Sequence, residues 1–236
     1  LNDSKNYRGI ALNSPLSKLF EVLLLITHSD VFASSDMQFG FERKSSTIQC
    51  TFALQEAIQY LLSRDSPVWC MLLDASQAFD NVQYNILFNR LIQTNFCPVS
   101  CRILLSMHTG QAVQVRWGNT TSSAFSIRNG VKQGGILSPV LFSLYADTLL
   151  QALKSSGKGC HMGRTFVGAL AYADDVAVLA PSRSAMKIML KLAEETGAQI
   201  HIKFNPSKSQ LLYFHPGQLQ HPVVPLNFCG ALVSVS

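Results

Sequence analysis

An α+β fold is the architecture this sequence predicts, and three features predict it. Apolar residues recur at helical spacing in some stretches and alternate in others, the alternating stretches pair across short turns, and no regular strand–helix–strand rhythm links them. An antiparallel sheet packed on helices accommodates all three. The 236 residues exceed the usual length of one domain and suffice for one large core or two lobes sharing a cleft.

Ser14-Pro15 supplies a cap and a first-turn proline, and Leu16, Leu19, Phe20 and Leu23 follow at i, i+3, i+4 and i+7, which predicts a helix. A second helix is expected over about 47–62, where Thr51, Leu54, Ile58 and Leu61 keep the period until Asp65-Ser66-Pro67 breaks it. Residues 68–73 form an apolar run suited to a strand buried on both faces, and it ends abruptly at Asp74. Tyr84, Leu87, Phe88 and Leu91 make another helical face, and Pro98 opens a helix reaching about His108.

Val113, Val115 and Trp117 alternate with Gln114 and Arg116, Gly118-Asn119 turns, and Phe125 and Ile127 return, the pattern of a hairpin. It leads into the loop Asn129-Gly130-Val131-Lys132-Gln133-Gly134-Gly135, after which Ser138-Pro139 starts a helix to about Leu153. Residues 166–172 and 176–179 flank Asp174-Asp175 as a second hairpin. A last helix from about Ser184 to Thr196 is expected to stop at Gly197, and Ile200, Ile202 and Phe204 then alternate as a strand before Pro206.

With 47% hydrophobic and 14% charged residues the chain is globular in composition, not disordered. The longest strongly apolar stretch, about 19–26, is interrupted by Glu21 and falls far short of the ~20 residues a bilayer crossing takes, so no membrane span is expected. The six cysteines include no CxxC pair, and no histidine stands at zinc-finger spacing, so buried reduced thiols are expected. A net charge of +5 and a pI near 8.9 suit polyanionic partners without requiring them. Starting at Leu1 with no Met or leader, the chain reads as a fragment.

Three carboxylates stand where apolar strands end: Asp74 after one run, Asp174 and Asp175 between two others. Burying an ionised carboxylate costs several kcal/mol unless a cation compensates it, so acids gathered at strand tips suit a hard divalent metal, Mg²⁺ first. In nucleotidyl transfer two such ions stabilise the attacking 3′ oxygen and the leaving pyrophosphate. Taken alone, Asp174-Asp175 is also an ordinary turn sequence, and Asp74 an ordinary helix cap.

The combination resembles a family. Tyr172-Ala173-Asp174-Asp175 resembles the YADD/FADD box of reverse transcriptases, and Leu73-Asp74-Ala75-Ser76-Gln77-Ala78-Phe79-Asp80 their preceding acidic box. Between them, residues 129–139 resemble the glutamine-glycine box. Asn6-Tyr7-Arg8-Gly9-Ile10-Ala11-Leu12 is similar to the NYRPISL fingers segment, with Gly9 and Ala11 where proline and serine are usual, and Asn205-Pro206-Ser207-Lys208-Ser209 to the lysine-bearing segment after the palm. The five boxes occur in the family's order, and their flavour is that of non-LTR (LINE-type) retrotransposons.

The resemblance implies an α+β polymerase right-hand palm with partial fingers and no thumb: residues 1–66 as partial fingers and connecting helices, residues 67–236 as palm. It implies an RNA-directed DNA polymerase adding dNTPs to a primer 3′ end by two-metal chemistry. Asp74 and Asp174 would ligate two Mg²⁺ ions, or Mn²⁺ in their place, with Asp175 in the same tip and the Ala75 carbonyl assisting. Phe79 would lie under the nucleotide sugar and exclude a 2′-hydroxyl, Gln133 and Gly134 would meet the incoming nucleotide and template, Arg8 the triphosphate, and Lys208 the departing pyrophosphate. Expected partners are an RNA template with a DNA primer and dNTP, no membrane, and the missing thumb and endonuclease regions of a larger polyprotein, at a nuclear and cytoplasmic location. A group II intron-type maturase or an RNA-dependent RNA polymerase shares the acidic boxes, and a decayed fragment that at most binds nucleic acid is the alternative of another class.

Overall fold

The computed structural model describes residues 7, 9–42, 45–217 and 223–235. In chain order its elements are α1 (Pro15–Thr27), α2 (Thr47–Leu62), β1 (Val68–Leu73), β2 (Ala75–Ser76), α3 (Tyr84–Gln93), α4 (Pro98–His108), β3 (Ala112–Val113), β4 (Arg116–Trp117), β5 (Thr120–Thr121), β6 (Phe125–Ser126) and α5 (Ser138–Ser155). There follow β7 (His161–Met162), β8 (Thr165–Phe166), β9 (Ala169–Tyr172), β10 (Asp175–Ala180), α6 (Arg183–Gln199), β11 (Lys203–Phe204), β12 (Gln210–Phe214), β13 (Leu226–Phe228) and β14 (Ala231–Val233). They fall into two compact units, neither contiguous in sequence: Leu1–Ala33 with Phe79–Tyr145, and Ser34–Ala78 with Ala146–Ser236.

The second unit is built on a four-stranded sheet in the order β12-β1-β10-β9, antiparallel at each of the three pairings. β1 and β10 are central and apolar on both faces, as a doubly covered strand must be. One face, bearing Cys70, Ala177 and Leu179, is sealed by Ala57 and Leu61 of α2. Ser46 caps α2, its hydroxyl accepting a hydrogen bond from the Gln49 amide.

α6 packs along β10, burying Met186, Met189, Leu190 and Ala193 at helical spacing. Contrary to the sequence expectation, it does not stop at Gly197. A side chain there would press on the Ile202 carbonyl and the Phe204 ring, at 2.9 Å each, so this glycine serves close packing. The helix ends two residues later: His201 takes the left-handed φ of 54° while the Ile202 amide donates to the Gly197 carbonyl, a Schellman closure. That turn shortens the expected strand to β11.

In the first unit α3 and α4 pack together, burying Leu87, Phe88, Leu91, Cys101 and Leu104. Ser14 caps α1 as its sequence predicts, accepting from the Ser17 amide. β3 pairs with β6 and β4 with β5, forming the expected hairpin as a two-stranded ribbon. α5 runs from this unit into the other.

Candidate active site

All three strand-tip acids lie in the second unit, at one end of its sheet. β9 and β10 pair as far as Tyr172 and Asp175, leaving Ala173-Asp174 as a two-residue hairpin loop. On the other side of β10 the ladder with β1 ends at Leu73 and Val176, so Asp74 and Asp175 are each one step beyond the last pair or at its edge. Adjacent strands run about 4.8 Å apart, a spacing at which their terminal carboxylates can share ions roughly 3.5–4 Å apart. Asp74 and Asp174 are half-buried and Asp175 is exposed.

Ala173 holds φ at 58°, a conformation that a residue with a Cβ adopts at a cost of about 1–2 kcal/mol. The surroundings enforce it. Gln38, buried, accepts hydrogen bonds from the amides of Ala173 (2.9 Å) and Gly40 (2.8 Å) and donates to the Ala173 carbonyl (3.3 Å). The segment carrying it lies along β9, with the Phe39 amide donating to the Ala171 carbonyl and the Ala171 amide to that of Met37. Gly40 comes so close that an added Cβ would sit 2.2 Å from the Ala173 nitrogen.

Asp74 is fixed through its backbone. Its amide donates to the Ser209 hydroxyl (3.1 Å), its carbonyl accepts from the Asn205 amide (2.8 Å), and the Ser209 hydroxyl donates to the Asn205 carbonyl (2.9 Å). Lys208 is exposed on the loop between those two anchors, which the Asn205 side chain tightens by accepting from Ser207. Because Asp74 is hydrogen-bonded to Asn205, the residue that follows β11, the antiparallel alternation turns the Ala75 carbonyl away from β11.

Among the described residues, no group of three His, Cys, Asp or Glu side chains is drawn together as a metal cluster. What the sheet end offers is two half-buried carboxylates on neighbouring strand tips. These are hard oxygen donors, the type that suits Mg²⁺.

In the first unit, the Gln133 side chain donates to the Asp80 carboxylate (3.2 Å), Asn129 donates to the Asp80 carbonyl (2.9 Å), and the Ala11 amide donates to the Gln133 carbonyl (2.8 Å). Gly130 and Gly134 have φ of 88° and 107°, and a Cβ on Gly130 would meet the Asp80 carbonyl at 2.9 Å, so the close backbone approach requires glycine. Glu21, buried, accepts from the amides of Ile136 (2.6 Å) and Leu137 (3.2 Å) just ahead of α5. Burial holds the nearby Lys132 ammonium below its ordinary range, against the pull of Glu21. Phe79 stacks on Phe142 with ring centroids 4.4 Å apart, and its carbonyl accepts from Val131. Arg8 lies outside the described residues.

Gln38, Gly40, Glu21 and Ser209 are the supporting residues that sequence reasoning missed as such. Glu21 gave a signal, the lone acid in an apolar helical run. Gln38 and Gly40 stand in Met37-Gln38-Phe39-Gly40-Phe41, a run with no periodicity of its own. The six cysteines are unpaired, with 70, 101 and 160 buried, 50 and 97 half-buried and 229 exposed; burial pushes the Cys70 and Cys160 thiols up to about 12.

Residues 2–231 match the family model described as reverse transcriptase (RNA-dependent DNA polymerase). Curated relatives include the probable RNA-directed DNA polymerase from transposon BS of Drosophila melanogaster, 29% identical over 97% of this chain and 26% of its own length. The RNA-directed DNA polymerase from mobile element jockey of Drosophila funebris is 26% identical over 98% of this chain and 26% of its own. The chain thus spans about a quarter of the length of these relatives. Among solved structures, apo telomerase from Candida tropicalis aligns with a TM-score of 0.61 at 13% identity, covering 93% of this chain and 43% of that one, which shows the shared α+β palm-and-fingers fold. With its boxes in order on that fold and a family match along nearly its whole length, this chain belongs to the reverse transcriptase (RNA-dependent DNA polymerase) family.

Proposed function

We propose that this chain carries the polymerase centre of a non-LTR retrotransposon enzyme, extending a DNA primer on an RNA template with dNTPs by two-metal nucleotidyl transfer. The observation that supports it is the pair of half-buried carboxylates, Asp74 and Asp174, on neighbouring strand tips of one sheet. Two divalent cations bound there would supply Lewis-acid stabilisation of the attacking and leaving oxygens. The chain's own contribution is rigidity: Gln38 and Gly40 fix the loop bearing Asp174, and Asn205 and Ser209 fix the backbone of Asp74. Lys208, on the same loop as Asn205 and Ser209, is assigned to neutralise the departing pyrophosphate. By the family resemblance, Phe79, Gln133, Gly134 and Arg8 are assigned to the incoming nucleotide, and the place of work is nuclear and cytoplasmic.

Primer extension on an RNA template with Mg²⁺ tests this, using the chain itself and the chain lengthened to match its relatives. Asp174→Asn is expected to lower extension by about 10²–10³-fold, on the scale of losing one main electrostatic contact in a transition state. Extension unaffected by that substitution refutes the mechanism. Phe79→Ala should admit ribonucleotides if the assigned sugar contact is right.

A further inference from the structure

The ribbon formed by β3, β4, β5 and β6 in the first unit has no role in the chemistry described above. Its register slips by one along its length: Val113 is opposite Phe125, but Arg116 is opposite Thr121, so the returning strand carries a bulge. Every residue from 114 to 126 is exposed. A two-stranded ribbon is marginal in water by itself, yet this one leaves Val115, Trp117 and Phe125 exposed at 54%, 60% and 49%. Trp117 makes an edge-to-face pair with the exposed Tyr7, centroids 4.6 Å apart.

Charge identifies what would cover such a surface. Between Asp80 and Asp147 the sequence contains no Asp or Glu, while it holds Arg90, Arg102, Arg116, Arg128 and Lys132. Arg116 and Arg128 are on the ribbon and at its base, both exposed, and among the described residues no carboxylate pairs with either. An acid-free ribbon with a tryptophan at its tip matches a polyanion that also presents flat faces, whereas an apolar protein partner would not call for the arginines. The ribbon is also continuous with the loop of Gln133: the Ile127 amide closes its base on the Gln111 carbonyl, and the chain then passes directly to Asn129.

We propose that this ribbon binds single-stranded nucleic acid, Trp117 stacking on an unpaired base while Arg116 and Arg128 hold backbone phosphates. The proposal rests on the reading that the chain handles a nucleic-acid strand, but not on its metal site or its catalysis.

The chain has two tryptophans, and Trp69 is only 7% exposed, packed on Tyr213. Trp69→Phe therefore makes Trp117 the only tryptophan emitter. This protein would be titrated, without metal and at low salt, with oligo-rU and oligo-dT of about 12 nucleotides, the anisotropy of labelled copies reporting binding independently. Trp117 emission should be quenched with the same midpoint as the anisotropy. Trp117→Ala should weaken binding about tenfold or more, and Arg116→Ala and Arg128→Ala should each lower the salt slope by about 1.

Binding with unchanged Trp117 emission and an unweakened Trp117→Ala overturns the proposal and leaves the polymerase reading standing. A duplex of the same length bound as tightly overturns the single-strand assignment. Failure of every oligonucleotide to bind overturns the proposal together with the nucleic-acid premise beneath it.

Discussion

The hairpin tip at 172–175 and the tip at 117–120 each close on two residues, and each has a positive φ at the first of them, 58° at Ala173 and 57° at Gly118. Both have the φ signature of a type II′ turn, which normally takes glycine first. At 117–120 the sequence complies: a Cβ on Gly118 would find nothing within 4 Å, and the tip is exposed. At 172–175 an alanine occupies the strained position and is itself buried, and a buried glutamine with a closely approaching glycine holds it. Strain of this kind persists only where surrounding structure over-determines it. The tip that carries Asp174 is the over-determined one; the tip that carries Trp117 is free to adapt to a partner.

Gly40→Ala should break the difference most severely. Its methyl group would lie 2.2 Å from the Ala173 nitrogen, a backbone atom that cannot rotate away. A loss of about 3 kcal/mol is expected by urea denaturation, at the upper end of ordinary overpacking. A variant within about 0.5 kcal/mol of the parent would mean that the tip yields, and the contrast with 117–120 would disappear.

Gln38→Leu comes next. It removes three hydrogen bonds, among them the one the buried Ala173 amide makes to the Gln38 side chain, for about 2–3 kcal/mol. Hydrogen exchange should quicken over 169–176 while α6 keeps its protection, and Mn²⁺ affinity should fall alongside. Gln38→Glu keeps an acceptor for the two amides but buries a carboxylate against the Ala173 carbonyl, so it should be destabilised at least as much as the leucine variant. Unchanged exchange at the tip in Gln38→Leu would show that β9 and β10 hold the strain without help.

This asymmetry also explains how much of the molecule was legible in its sequence. The helices over 47–62 and 98–108, the strand at 68–73 and both hairpins follow from periodicity and turn residues, which act within a few positions. The acids at the strand tips were legible for the same reason. Their supports were not: Gln38 and Ser209 each meet a partner 135 residues away. A buried polar side chain with a distant backbone partner leaves no periodic trace. Gly197 misled in the opposite direction, because a glycine chosen for close packing looks locally like one that ends a helix.

The smallest expected effect is at the other tip. Gly118→Ala meets no neighbouring atom, so its only consequence is the φ of 57° that the new Cβ must tolerate, about 1 kcal/mol. Gly118→Asn should lose less, since asparagine visits that region more readily. Thermal denaturation of the three proteins measures both, and the comparison predicts that neither variant alters Mn²⁺ binding, because the ribbon belongs to a different unit from the acids. A Gly118→Ala loss as large as that of Gly40→Ala would require an enclosing contact at 117–120. The exposed tip would then be as over-determined as the one bearing Asp174.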